Sequence, residues 1–68
     1  MYLRRLRDLR EDNDLKQEYV ANILKITRQQ YQLYESGKRS IPVEKLIELC
    51  RFYGVSADYV LELTDKMQ

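Results

Sequence analysis

The sequence predicts an all-α domain of five short helices, and three observations predict it. Apolar residues recur three and four positions apart in five separate stretches, the spacing of one helix face. Both glycines and the single proline fall between those stretches. No segment alternates apolar and polar residues for long enough to compete as a strand. At 68 residues the chain has room for one domain, 1–68, with its last few residues as a short tail.

Each element has its own signature. Leu3, Leu6 and Leu9 define an amphipathic stretch over residues 2–12, closed by Asn13 among acidic neighbours. Val20, Ile23 and Leu24 define a second over residues 16–24. A third, over 28–36, turns Tyr31 and Tyr34 inward. It begins at Thr27, whose hydroxyl can accept a free amide of the first turn, while Gln30 can reach back to close a capping box. Ser36-Gly37 and Ile41-Pro42 separate it from a fourth stretch over 43–53. The inward stripe of that helix is Val43, Leu46, Ile47, Leu49 and Cys50, continued by Phe52 and Tyr53. After Gly54, Ser56 caps a fifth stretch over 57–63 with Val60, Leu61 and Leu63.

Composition removes several kinds of chemistry. One cysteine cannot form an intrachain disulfide, and without histidine that lone thiol cannot complete the common zinc sites. Histidine-dependent triads are excluded by the same count. No enzyme, metal or cofactor is expected, and Cys50 reads as a small core hydrophobe. No apolar run approaches the roughly 18 residues of a membrane span, so a reducing cytoplasm is the expected location. Twelve bases against eleven acids give +1 overall, but the distribution is uneven. Residues 1–40 carry nine bases and six acids, a net of +3, whereas residues 41–68 carry three and five, a net of −2. A basic end suits a polyanion; ordinary solvated faces would give the same numbers.

The informative join lies between the second and third helices. Leu24-Lys25-Ile26 leaves a three-residue turn before the Thr27 cap. Helices so joined cross at a large angle, the geometry of a helix-turn-helix, and Ala21 would let the two backbones approach. A helical hairpin inside any bundle could share this pattern, so spacing alone leaves both readings open.

Longer motifs narrow the choice. The chain carries Leu6-Arg7-Asp8-Leu9-Arg10, Gln17-Glu18, Ala21, Ile26-Thr27 and Tyr34-Glu35-Ser36-Gly37-Lys38-Arg39. Leu46-Ile47-Glu48-Leu49 and Gly54-Val55-Ser56-Ala57-Asp58-Tyr59 follow. In this order the set resembles the Cro/lambda-repressor-like (XRE-type) helix-turn-helix family from Leu6 to Leu61. The resemblance implies a five-helix domain, a helix-turn-helix core near residues 17–36, and a bacterial or phage-type transcriptional regulator. Its third helix would lie in the major groove of double-stranded DNA.

Three residues depart from the family pattern. Lys25 replaces a glycine at a turn position that needs a positive φ, at a cost on the order of 0.5–1 kcal/mol. Lys16 replaces the Ser or Thr cap of the second helix, leaving Asp14 or water to serve its amides. Glu62 replaces a glycine that ends the last helix, so that helix is expected to run on through Leu63.

With Tyr31 inward, a 100° step places Gln29, Gln32 and Leu33 on the opposite side of the third helix, flanked by Arg28 and Gln30. Arg28, Gln29, Gln32 and Leu33 are the expected base-reading residues. Arginine can pair with guanine O6 and N7, glutamine with adenine N6 and N7, and leucine can meet a thymine methyl. Gln17, Gln30, Lys38, Arg39 and Lys25 are the expected phosphate contacts. Arg4 and Arg5 read as solvated charges of a mixed first helix. The resemblance also implies a structural ion pair between Arg10 and Glu35.

One recognition helix reads too few base pairs to mark a site in a genome. A homodimer on a palindromic operator is therefore expected, formed in solution or only on DNA. Phe52, Tyr53, Val55, Tyr59, Val60 and Leu63 are its expected interface. The antitoxin half of a toxin–antitoxin pair is the related alternative. A helical protein-interaction module that never touches DNA is the alternative of another class.

Overall fold

Helical periodicity in the sequence becomes five helices in the computed structural model, described over residues 2–68. They are α1 (Arg4–Asp12), α2 (Gln17–Ile23), α3 (Arg28–Glu35), α4 (Val43–Tyr53) and α5 (Ala57–Val60). Met1, the first residue of the expected domain, lies outside the described residues.

One stripe of each helix meets the others. Leu6 and Leu9 of α1, with Leu3 just ahead of it, bury against Val20 and Ala21 of α2, Tyr31 of α3, Leu46, Leu49 and Cys50 of α4, and Val60 of α5. Each large apolar side chain removed from water in this way contributes roughly 1.5–3 kcal/mol. α2 packs on α3, α1 touches both α3 and α5, and α4 packs on α5. α1 thus links the α2–α3 pair to the C-terminal helices. Burial alone pushes the Cys50 thiol pKa up, in keeping with a core role.

Three helices end in the same way, none of them on glycine. Asp14 (φ 54°), Lys25 (φ 58°) and Glu62 (φ 61°) each take the left-handed conformation just past a helix. Their amides, and those of the next residues, turn back onto the helix's last carbonyls. Asp14 N donates to Glu11 O and Leu15 N to Arg10 O, both at 3.0 Å. Lys25 N donates to Asn22 O at 3.1 Å and Ile26 N to Ala21 O at 3.0 Å. Glu62 N donates to Tyr59 O at 3.0 Å and Leu63 N to Asp58 O at 2.8 Å. This paired return satisfies carbonyls that a helix end would leave orphaned. The positive φ expected at Lys25 is therefore present, on an ordinary helix-stop motif.

Several expectations need correction. The last helix does not run on through Leu63: it stops at Val60, because Glu62 adopts the stop conformation that a glycine would have supplied. Asp14 does not cap α2; no side chain does, and Asp14 instead terminates α1. Tyr34 is only half-buried, and Glu35, 4 % exposed, takes the inward place beside Tyr31. Val43 and Ile47, expected to face inward, are 64 % and 42 % exposed, since Leu46, Leu49 and Cys50 alone fill the seam beneath α4. Val60 is fully buried within the monomer, so it cannot form part of a dimer surface.

The final residues make side-chain and backbone contacts with the rest of the domain. Arg5 Nη1 donates to Tyr59 O at 2.7 Å and Thr64 O at 2.6 Å, while Nη2 meets Asp65 Oδ1 at 2.8 Å. The same guanidinium lies 4.2 Å from the centre of the Tyr59 ring. Arg4 Nε pairs with Glu62 at 3.0 Å, and Ser56 N donates to Met67 O at 2.7 Å. The two arginines read as solvated charges thus bind the C-terminal segment to α1.

Candidate nucleic-acid interface

The candidate interface starts from the way α3 is anchored. Its first turn carries the predicted capping box: Gln30 N donates to Thr27 Oγ1 at 3.1 Å, and Thr27 N donates to Gln30 Oε1 at 3.4 Å. These bonds fix the N-terminal end without drawing on Arg28 or Gln29, both of which are exposed. On the opposite face Tyr31 and Glu35 are buried, which locks the rotation of the helix about its axis. Gln32 and Leu33, half-buried, lie farther along. The Gln30 amide oxygen is occupied in the cap, which leaves its NH2 group free to meet a phosphate.

The turn before α3 receives a further tie. Lys45 of α4 sends its ammonium to Leu24 O at 3.4 Å, a long bond onto the residue that caps the C-terminal end of α2. Lys25 itself is exposed. After α3, Gly37 (φ 82°) makes the bend, and Arg39 N donates to Leu33 O at 3.1 Å. That hydrogen bond folds the loop so that exposed Lys38 and Arg39 follow α3 closely.

Beneath the exposed face sits a buried charge pair. Arg10 Nε and Nη2 each donate to one oxygen of Glu35 at 2.9 Å, in a two-pronged fork. Arg10 Nη1 donates to Leu15 O at 2.8 Å, so all three guanidinium nitrogens are engaged. The two side chains are 14 % and 5 % exposed. Gln17, the first residue of α2, donates its side-chain amide to Glu35 Oε1 at 3.2 Å. One carboxylate therefore ties α1, α2 and α3 together.

Electrostatics follow from that geometry. Burial would raise the Glu35 carboxyl, but the bonds from Arg10, with Tyr31 and Gln17 beside it, outweigh burial and hold it below the ordinary carboxylate value. Burial, then Glu35, push the Tyr31 phenol well up; its hydroxyl leans toward that carboxylate without completing a hydrogen bond of ordinary geometry. Tyr53, whose hydroxyl is also buried without a partner, is pushed up to about 12, first by burial and then by Glu35. These phenols stay neutral, and among the described residues Lys25, Arg28, Lys38 and Arg39 carry exposed positive charge around α3.

The other expected surface lies toward the C-terminus. Leu63 is 73 % exposed and Phe52 41 %, while Tyr53, Val55 and Tyr59 are half-buried. The Phe52 ring packs edge-on against Tyr53 and also meets Tyr19 of α2, at centroid distances of 4.9 and 6.4 Å. Sequence reading missed Tyr19, whose exposure carries no periodic signal.

Comparison with known proteins agrees with this architecture. The helix-turn-helix family model matches residues 6–60. An uncharacterized HTH-type transcriptional regulator, YobD of Bacillus subtilis (strain 168), is 43 % identical over 65 residues, covering 96 % of this chain and 58 % of the relative. The cryptic phage CTXphi transcriptional repressor RstR of Vibrio cholerae is 42 % identical over 55 residues, covering 81 % of this chain and 50 % of the relative. An uncharacterized SPbeta prophage-derived HTH-type regulator of Bacillus subtilis, YonR, is 38 % identical over 64 residues, covering 94 % and 59 %. The chain thus spans between half and three-fifths of the length of these curated relatives. No solved structure gives a significant match. With its helices, its turn and most of its length accounted for in this way, the chain belongs to the Cro/lambda-repressor-like helix-turn-helix family, whose members are DNA-binding transcriptional regulators.

Proposed function

We propose that this chain is the operator-reading unit of a transcriptional repressor and that it binds a palindromic double-stranded site as a dimer. The observation that carries the reading is the state of α3. Its N-terminal turn is capped, its rotation is locked by Tyr31 and Glu35, and Arg28 and Gln29 stand exposed at the end that meets base edges in this fold. Arg28 donates its fork to guanine O6 and N7, and Gln29 pairs with adenine N6 and N7. Gln32 and Leu33 extend the contact, Leu33 toward a thymine methyl. The resemblance to a phage repressor favours repression over activation.

Gln17 donates one amide hydrogen to Glu35, which leaves the other for a phosphate oxygen at the start of α2. Lys38, Arg39, Lys25 and the Gln30 NH2 group add contacts that hold the helix in register without reading bases. Two copies meet through Phe52, Tyr53, Val55, Tyr59 and Leu63. The longest dimension of one protomer is 30 Å. A two-fold dimer on a palindrome should present its recognition helices about one duplex turn apart, near 34 Å.

Selection of binding sites from random duplexes with the purified protein tests this reading. It should yield two inverted half-sites containing guanine and adenine, with two protomers bound per duplex. A single unrepeated half-site with one protomer bound contradicts the dimer. Absence of any salt-dependent DNA binding contradicts the reading as a whole.

A further inference from the structure

Between α1 and the reading face lies a polar pocket of about 220 Å³. Gln17, Gln32, Ser36 and the paired Arg10 and Glu35 line it, and both glutamines already belong to the proposed DNA surface. Tyr2 and Arg7 complete the lining from the N-terminal end of the domain. Glycine makes this approach possible: a Cβ on Gly37 would fall 2.8 Å from the Tyr2 Cα, so any side chain there would displace the backbone at Tyr2. Tyr2 therefore crosses the loop that leads from α3 to Lys38 and Arg39.

The two arginines of this pocket differ in what they can still bind. Arg10 has all three nitrogens engaged, and its charge is matched by Glu35. Arg7, one helical turn earlier, pairs with Glu11 through Nε alone, at 3.2 Å, on side chains 56 % and 51 % exposed. An exposed i,i+4 pair of this kind is weak and exchanges readily with solvent or another anion. Its terminal amino groups, which share the pocket with the Tyr2 hydroxyl, form a planar fork matched in geometry to two oxygens on one phosphorus.

We propose that this pocket seats one phosphodiester of the DNA backbone, with Arg7 as its charged clamp and the Tyr2 hydroxyl and the spare Gln17 amide hydrogen as neutral donors. The assignment rests on the DNA-binding reading above and extends its phosphate contacts to α1. Arg7 then adds affinity without sequence preference and releases a counterion on binding.

Salt titrations of binding to the selected duplex and to a random duplex test the assignment. Arg7→Gln should weaken both equally and lower the slope of log K against log salt by about 1. Glu11→Gln, which frees Arg7, should tighten both. Arg4→Gln, on the same helix but paired with Glu62, should leave the slope unchanged. In a scan of duplexes with single methylphosphonate linkages, one position should weaken the wild type and leave Arg7→Gln unaffected. An unchanged slope for Arg7→Gln, with wild-type binding intact, overturns the pocket assignment alone; failure of the wild type to bind DNA overturns the underlying reading. Inorganic phosphate at constant ionic strength should compete no better than chloride. Competition by phosphate that disappears in Arg7→Gln would make this a free-anion site and overturn the proposal.

Discussion

The reading unit and the C-terminal unit are held by bonds of opposite reach. From Gln17 to Glu35 the backbone is shaped by partners three to five residues apart: the paired return at Lys25 and Ile26, and the capping box at Thr27 and Gln30. From Ala57 onward the support comes largely from α1, through Arg4 and Arg5, whose partners lie 54 to 60 residues away. The α2–turn–α3 geometry is therefore shaped largely within its own segment, with Arg10 and Lys45 as its distant side-chain partners. The four residues of α5 are too few to persist alone and form because α1 holds the segment after them.

The largest expected effect strikes the buried charge pair that seats the α2–α3 unit on α1. Glu35→Ala would leave the Arg10 guanidinium buried and unpaired, and should destabilise the fold by about 3–5 kcal/mol in denaturant titration. Glu35 also sets a pH dependence. Its folded pKa lies below the ordinary value, so its contribution is present above the ordinary carboxylate range and is lost as pH falls through that range to the folded value. Glu35→Gln should remove that part of the acid-side slope. A Gln variant with an unchanged acid profile would assign the slope to other carboxylates.

A smaller effect is expected at the other end. Arg5→Ala removes two carbonyl bonds and the contact with the Tyr59 ring, at a cost of roughly 1–3 kcal/mol. Hydrogen exchange should show the Ser56 and Leu63 amides losing protection, while Ile26 and Tyr31 keep theirs. Equal loss in both regions would erase the contrast between the two units.

The smallest effects compare two matched positions. Lys25 and Glu62 share the same backbone conformation at φ 58° and 61°. Lys25→Gly should stabilise by about 0.5–1 kcal/mol, through relief of the left-handed strain. Glu62→Gly should gain less, because it also removes the partner of Arg4. Denaturant midpoints resolve the order of the two.

The same contrast explains what could be read in the sequence. The Thr27–Gln30 box, the three-residue turn and the inward Tyr31 are local features, and each is visible as a residue type at a fixed spacing. Arg5 gave no such sign: on a mixed-charge helix nothing nearby distinguishes a tether from a solvated charge. Val43 and Ile47 misled for a related reason, since apolar spacing marks a face but not how far the neighbouring helices cover it. Val60 shows the converse, a residue placed at a surface by sequence and wholly enclosed by the packing of α5 on α1 and α4. The pocket beside Arg7 leaves no sign in the sequence, because it forms where Tyr2, α1, α2 and α3 come together in space.

The central claim is that the exposed start of α3 reads bases, and Arg28→Ala measures it most directly. Affinities of the wild type and this variant should be compared on the selected operator and on a random duplex at one salt concentration. The account predicts a loss of about 1–3 kcal/mol on the operator and a much smaller loss on random DNA. Equal losses on both would make Arg28 a phosphate contact and contradict the assignment of α3 as the base-reading element.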